Sequence, residues 1–276
     1  MTRAPGIGDL IAGFDPNGAL ISVAAFAFLY AAGVRRVRRR WPPWRSAAFA
    51  AGLGVLGFAL CGGIDRWADR MLSVHMTQHL VLTLVAAPLL VLGAPLRLAL
   101  AALPISSARS LARIAGGRAG LLAHPLAAGL LFAAAGLLLH VPAVYDASVR
   151  DPWVHAGVHA LFLASALLFW TPLLAPEPLG HRMSPTAKLA YLLLAMPAMA
   201  IVGVVLNTSA EVVYAPYASS AQQLGISALA DQQLAGALMW VGGGTVLGAA
   251  FLVCGWQALV AEERQQAHRE ARGSGA

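Results

Sequence analysis

Two pairs of histidines, His75 with His79 and His155 with His159, each stand four residues apart in otherwise apolar runs, and His140 lies in a third such run. On a helix, positions i and i+4 share a face, so each pair would show two imidazoles to one neighbour. Imidazole suits zinc, copper, iron and nickel. The spacing in "HMTQH" matches a zinc-protease helix, but no Glu follows His75 and Gln78 stands before His79, so the general base of H-E-x-x-H is missing. Softer donors nearby (Met71, Met76, Met239 and Cys61) tilt the choice toward copper(I). Bis-histidine haem is the alternative, since pairs on facing helices could clamp a porphyrin. No nucleophile–base pair accompanies the histidines, so the chain is not read as an enzyme.

The elements that carry these residues must be membrane helices. The 276 residues are 59% hydrophobic and 11% charged, with a mean hydropathy of +0.70, whereas a soluble domain carries about 25% charge. Stretches without Asp, Glu, Lys or Arg run over 16–34, 46–64, 71–96, 119–145, 152–176, 189–210, 212–230 and 232–261. Seven are long and apolar enough to span a bilayer. The remaining one, "VVYAPYASSAQQLGISALA", is too rich in Ser, Gln, Tyr and Pro and reads as an extramembrane loop that could cap the bundle. The expectation is one all-α domain, a polytopic membrane protein with a seven-transmembrane-helix bundle, over roughly 17–34, 46–64, 71–92, 125–141, 154–172, 188–206 and 232–256, with 257–276 as a tail.

Arginine and lysine orient it. With the N-terminus outside and the C-terminus cytoplasmic, the inner segments 35–45, 93–124, 173–188 and 257–276 hold fifteen basic residues. The outer side holds four, Arg3, Arg66, Arg70 and Arg150. That is the positive-inside pattern, and it accounts for the net charge of +7 without a nucleic-acid partner. The basic cluster "RRVRRR" follows the first apolar run, so this run reads as an anchor and not a cleaved leader. Cys61 and Cys254 fall near opposite faces, too far apart for a disulfide. In this frame His124, His181 and His268 are inner-side, while all five of the others lie in the outer half of three helices. At ~1.5 Å per residue, His79 is ~13 Å from Arg70, His140 ~9 Å from Asp146 and His159 ~12 Å from Asp151. Imidazoles from separate spans thus share a layer, where polar groups are costly and usually functional.

Other intramembrane features read as structural. Pro88 and Pro197 should kink their helices, Gly244 and Gly248 offer a close-packing pair, and Met196 and Met199 read as core filler. "SSARSLARIAGGRAG" could form a short helix on the inner surface or a solvated connector. Asp231, at the outer start of the last helix, is the only intrahelical carboxylate and could orient an imidazole or balance an ion's charge.

Three segments carry a resemblance. "HMTQHLVLTLVAAPLLVLGAPLRLAL" (75–100), "HPLAAGLLFAAAGLLLHVPAVYDASVRDPWVHAGVHALFLASALLFWTPLL" (124–174) and "SALADQQLAGALMWVGGG" (227–244) are similar, in this order, to the CtaG family of integral-membrane cytochrome c oxidase assembly factors associated with caa-type oxidases. The resemblance implies a seven-helix protein of the bacterial cytoplasmic membrane that serves oxidase maturation, with copper handling as its chemistry. Its implied partners are cytochrome c oxidase subunits, an extracytoplasmic copper donor and the lipid bilayer. His75, Met76, Gln78 and His79 match the first motif. His140, His155 and His159 match the second, and Asp231, Gln232, Gln233, Met239 and Trp240 the third. Two positions depart from the family pattern. Val158 stands where an acidic residue often precedes the second histidine, which bears on hydrogen-bond support rather than on a ligand. Gly242 stands where a proline often follows M-W-V, which should only straighten the last helix. Besides haem binding, a transporter and a metal-independent assembly scaffold fit the same composition. The transporter needs polar ligands continuing into the inner half, where the sequence offers little beyond Thr83 and Met196.

Overall fold

The computed structural model describes residues 4–37, 40–174 and 183–273. His181, four of the basic residues counted above (Arg3, Arg38, Arg39 and Arg182) and the side chain of His268 lie outside the described residues. Those described hold six helices long and apolar enough to cross a membrane, and a seventh if one bent pair counts as a single span. We label them α1 (Gly18–Val37), α2 (Pro43–Cys61), α3 (Leu72–Ala102), α4 (Pro125–Leu138), α5 (Pro152–Leu174), α6 (Pro185–Thr208) and α7 (Ala228–Arg264). Proline is the main punctuation. Pro43, Pro125 and Pro185 each sit in the first turn of a helix, where the ring's fixed φ suits the helix and the missing N–H is not needed.

The bent pair is α4 with Pro142–Arg150, which meet at 75°. The run expected as one helix over 125–141 with a short turn after it is therefore two helices. Fourteen residues reach only ~21 Å, short of a ~30 Å hydrocarbon core. The break has a local cause: Val141 precedes Pro142 and is extended, because the proline ring disfavours the helical conformation before it. His140 sits in that break.

α3 is also irregular. Its turns over Val81–Ala86 are a π-helix, in which the Ala87 N–H reaches back to the Leu82 carbonyl. Thr83, whose i+5 residue is Pro88, is left with a spare carbonyl, and Trp170 Nε1 of α5 donates to it at 2.9 Å. Ala94, buried and left-handed at φ 49°, marks where Pro95–Ala102 turns off. In α7 a second π segment, Leu238–Gly242, occupies the place where a straightened helix was expected. Pro197 lies inside the unbroken α6.

The helices pack in two apolar clusters. One joins α1, α2 and α3 through Tyr30, Phe49, Leu53, Leu82, Leu90 and Leu98. The other joins α3 to α4, α5, α6 and α7 through Leu84, Phe132, Phe169, Trp170, Leu192 and Leu247. The close crossing of α6 and α7 is made by Gly203 and Gly236: a Cβ on Gly203 would lie 2.8 Å from the Gly236 carbonyl oxygen. Gly244 and Gly248, expected to pack closely, face open space instead. The segment 105–116 is a helix, Ile105–Gly116, with Ile105 and Ile114 exposed.

Candidate metal centre

The five histidines of the outer layer converge at one end of the bundle. His75 Nε2 lies 3.0 Å from His79 Nε2, and His155 Nε2 lies 3.1 Å from His159 Nε2. Both contacts follow from i,i+4 spacing. Between helices, the His75 ring centroid is 5.3 Å from His155 and 6.0 Å from His159. His79 is 5.3 Å from His159 and 5.9 Å from His140. His75, His155 and His159 each present a ring nitrogen such that all three lie within 4.8 Å of one another. His75 is buried, and the other two are half-buried. Metal–nitrogen bonds of ~2.0–2.1 Å require such a triangle to draw in around an ion.

Tyrosines that the sequence reading left in a loop hold this arrangement. Tyr214 OH donates to the His140 carbonyl at 2.7 Å, and Tyr217 OH donates to the Ala68 carbonyl at 3.0 Å. With that single proton committed, the 3.0 Å contact between Tyr217 OH and His75 Nδ1 is a bond donated by His75. The tautomer follows: His75 carries its proton on Nδ1, and Nε2 keeps a lone pair. That is the usual support of a metal-ligating histidine. Tyr145 completes the wall, its hydroxyl 3.1 Å from that of Tyr217. Burial pushes the Tyr214 and Tyr217 hydroxyls well above the ordinary phenol range, so both stay protonated as donors. A Tyr-Ala-Pro-Tyr run in an uncharged loop was the available signal.

His79 and His140 continue the chain of donors. Since His75 Nε2 is an acceptor, His79 donates to it from Nε2 and holds its lone pair on Nδ1. His140 Nδ1 donates to the Gly136 carbonyl at 2.7 Å, one of the last four of α4 and hence without a helical partner. This leaves the lone pair on Nε2. His79 Nδ1 and His140 Nε2 are both buried without a hydrogen-bond partner.

The other candidates separate. Met76 and Met239 line a cavity with His79 and His140. Met199, read as filler, lines it too, and both it and Met196 pack on the apolar cluster of α3–α7. Asp231 does not touch an imidazole. It caps α3 from α7, accepting from Leu72 N–H at 2.7 Å, Ser73 N–H at 3.4 Å and the Ser73 hydroxyl. The N-cap position itself, Met71, has no capping side chain, so the carboxylate supplies the cap in trans. Gln232 holds the tyrosine loop through the Val213 N–H and the Glu211 carbonyl. Gln78 ties α3 to the end of α2, donating to the Ala59 carbonyl and to Asp65. Cys61 donates to Asn17 at 3.3 Å, away from the histidines, and both cysteines are free thiols. Val158 is buried. His124 caps α4, accepting from the Leu126 N–H.

The family model of the cytochrome c oxidase caa3 assembly factors matches residues 28–260. An uncharacterized protein of Mycobacterium bovis is 32% identical over 226 residues, covering 76% of this chain and 34% of its own. One of Mycobacterium leprae is 30% identical over 257 residues, covering 88% of this chain and 38% of its own. The chain thus spans about a third of the length of these curated relatives. No solved structure matches.

Proposed function

The chain belongs to the family of cytochrome c oxidase caa3 assembly factors, and from that premise we propose that it takes up copper(I) at His75, His155 and His159 and passes it to an oxidase subunit in the membrane. The observation that carries the reading is the nitrogen triangle on α3 and α5, all within 4.8 Å, with the His75 tautomer set by Tyr217. Neutral imidazoles with one exposed flank suit a cargo that must leave again. The asymmetry of basic residues supports placing this end on the extracytoplasmic side of a bacterial cytoplasmic membrane, where a copper donor would meet it. Transfer of an ion between ligand sets needs no catalytic residue.

The test is metal analysis of purified protein, alongside oxidase activity in the host membranes. His155→Ala/His159→Ala is expected to bind less copper than the parent and to lower oxidase activity while the protein still accumulates. Unchanged copper content in that variant overturns the proposal, and a Soret band with bis-imidazole features would replace copper with haem.

A further inference from the structure

Beyond the triangle, toward the middle of the bundle, lies a cavity of about 20 Å³ lined by Met76, His79, His140, Met199 and Met239, with Thr83 and apolar groups making up the rest of the wall. We propose that this cavity is a second and separate site, selective for a monovalent soft metal ion such as copper(I) or silver(I). The inference rests on the first site only in taking the protein as a copper handler.

Four observations carry it. First, His79 Nδ1 and His140 Nε2 are buried without partners, and the tautomers fixed by Tyr217 and the Gly136 carbonyl make both of them lone pairs, not N–H groups. A buried acceptor without a partner is costly, and two beside one cavity call for a shared electrophile. Second, three of the chain's seven methionines line this one small space. Thioether with imidazole is a copper(I) donor set, and carboxylates, which hard dications prefer, are absent from the wall. Third, the volume admits one water-sized occupant, which fits a bare ion and is far below the roughly 300–1,000 Å³ of an organic ligand's pocket. Fourth, apart from Thr83, whose hydroxyl is bonded to the His79 carbonyl, the other wall residues, among them Leu80, Phe132 and Phe162, are apolar. Desolvation cost grows with the square of the charge, so a wall with no anion accepts a monocation far more readily than a dication.

The two sites meet at the 3.0 Å contact between His75 and His79, which lets an ion exchange one imidazole for the next without crossing open space. The outer triangle has only nitrogen donors and a half-buried flank, so it tolerates zinc as well as copper. The inner cavity does not.

The experiment is equilibrium binding of silver(I) and zinc(II), each alone, to the full chain in detergent. A Cys61→Ala/Cys254→Ala background keeps thiolates from taking silver. Two silver ions and one zinc ion per chain are expected at saturation. Met76→Leu/Met239→Leu, which conserves volume, should bind one silver and still one zinc. His155→Ala/His159→Ala should bind one silver and no zinc. A Met76→Leu/Met239→Leu protein that binds both metals like its parent overturns the second site and leaves the triangle standing. Full silver and zinc binding by the His155→Ala/His159→Ala protein, with silver lost from the methionine variant, overturns the triangle and leaves the second site. Sulfur scattering at the silver absorption edge, present in the parent and lost in the methionine variant, is a further expected result.

Discussion

The two halves of α3 are built on opposite principles. Its first turns bury Ser73, His75, Gln78 and His79, and Ser73, His75 and Gln78 are each tied to another element: Ser73 to Asp231, His75 to Tyr217, Gln78 to Asp65. Beyond the π segment, the same helix buries Leu84, Ala87 and Val91 against Phe132, Phe169 and Trp170, a mostly apolar cluster. Thr83 and the Trp170 indole, meeting at 2.9 Å, mark the border. The contrast teaches that one helix can join a polar, cross-linked end to an apolar, packed one. The physics of stability differs accordingly. The apolar half is held by packing, because lipid is as greasy as leucine and burial in itself contributes little, while the polar half is held by specific directional bonds.

Three perturbations probe that division, in order of effect. Phe169→Ala empties the centre of the apolar half, where the ring is fully buried and stacks 4.4 Å from Phe132. With little transfer term in lipid, the cavity itself should cost about 2–3 kcal/mol. Unfolding in mixed micelles would show the loss, and metal bound per folded chain should stay constant. A fall in stoichiometry would mean that the two halves are not separable. Asp231→Ala removes the trans cap of α3 and should cost about 1–2 kcal/mol. Here metal affinity should fall together with stability, since the capped turn carries His75. Stability lost with affinity intact would show the cap to be remote from the site.

The smallest effect is electrostatic. Burial pushes the Asp65 carboxyl up to about 6, against the pull of the Gln78 amide, from 3.8 in an open chain. The folded state therefore holds its proton more tightly, and this group's contribution to stability is greatest below pH 4 and declines as pH rises through 6. Because the carboxyl is half exposed, the decline should be about 1 kcal/mol or less. Melting temperatures at pH 4.5 and pH 7 should differ less for Asp65→Asn than for the parent, and an equal difference would refute the assignment.

Much of this was legible in the sequence for a simple reason: a bilayer writes its thickness into the length of apolar runs, and i,i+4 spacing writes a shared face. Hence the spans and the pairing of His75 with His79 and His155 with His159 could be read directly. The bend before Pro142 was readable in principle from the residue preceding a proline, but an apolar run of the right length concealed it. Asp231 was misread because a lone carboxylate near histidines looks like their partner, and nothing local says that it caps another helix 159 positions away. The tyrosines, and the cavity that Met199 lines as well as packing on the core, escaped for the same reason. Tyr217 meets His75 across 142 positions, and only the tertiary fold reveals which methionine faces a void.

The bridge between His75 and His79 has one more consequence. Its acceptor is the same Nε2 electron pair that the outer triangle requires, so an ion gripped there evicts the neighbouring N–H. An ion seated at His79 Nδ1 locks that N–H in place and weakens the outer grip. On the two-site proposal, filling one seat should therefore weaken the grip of the other.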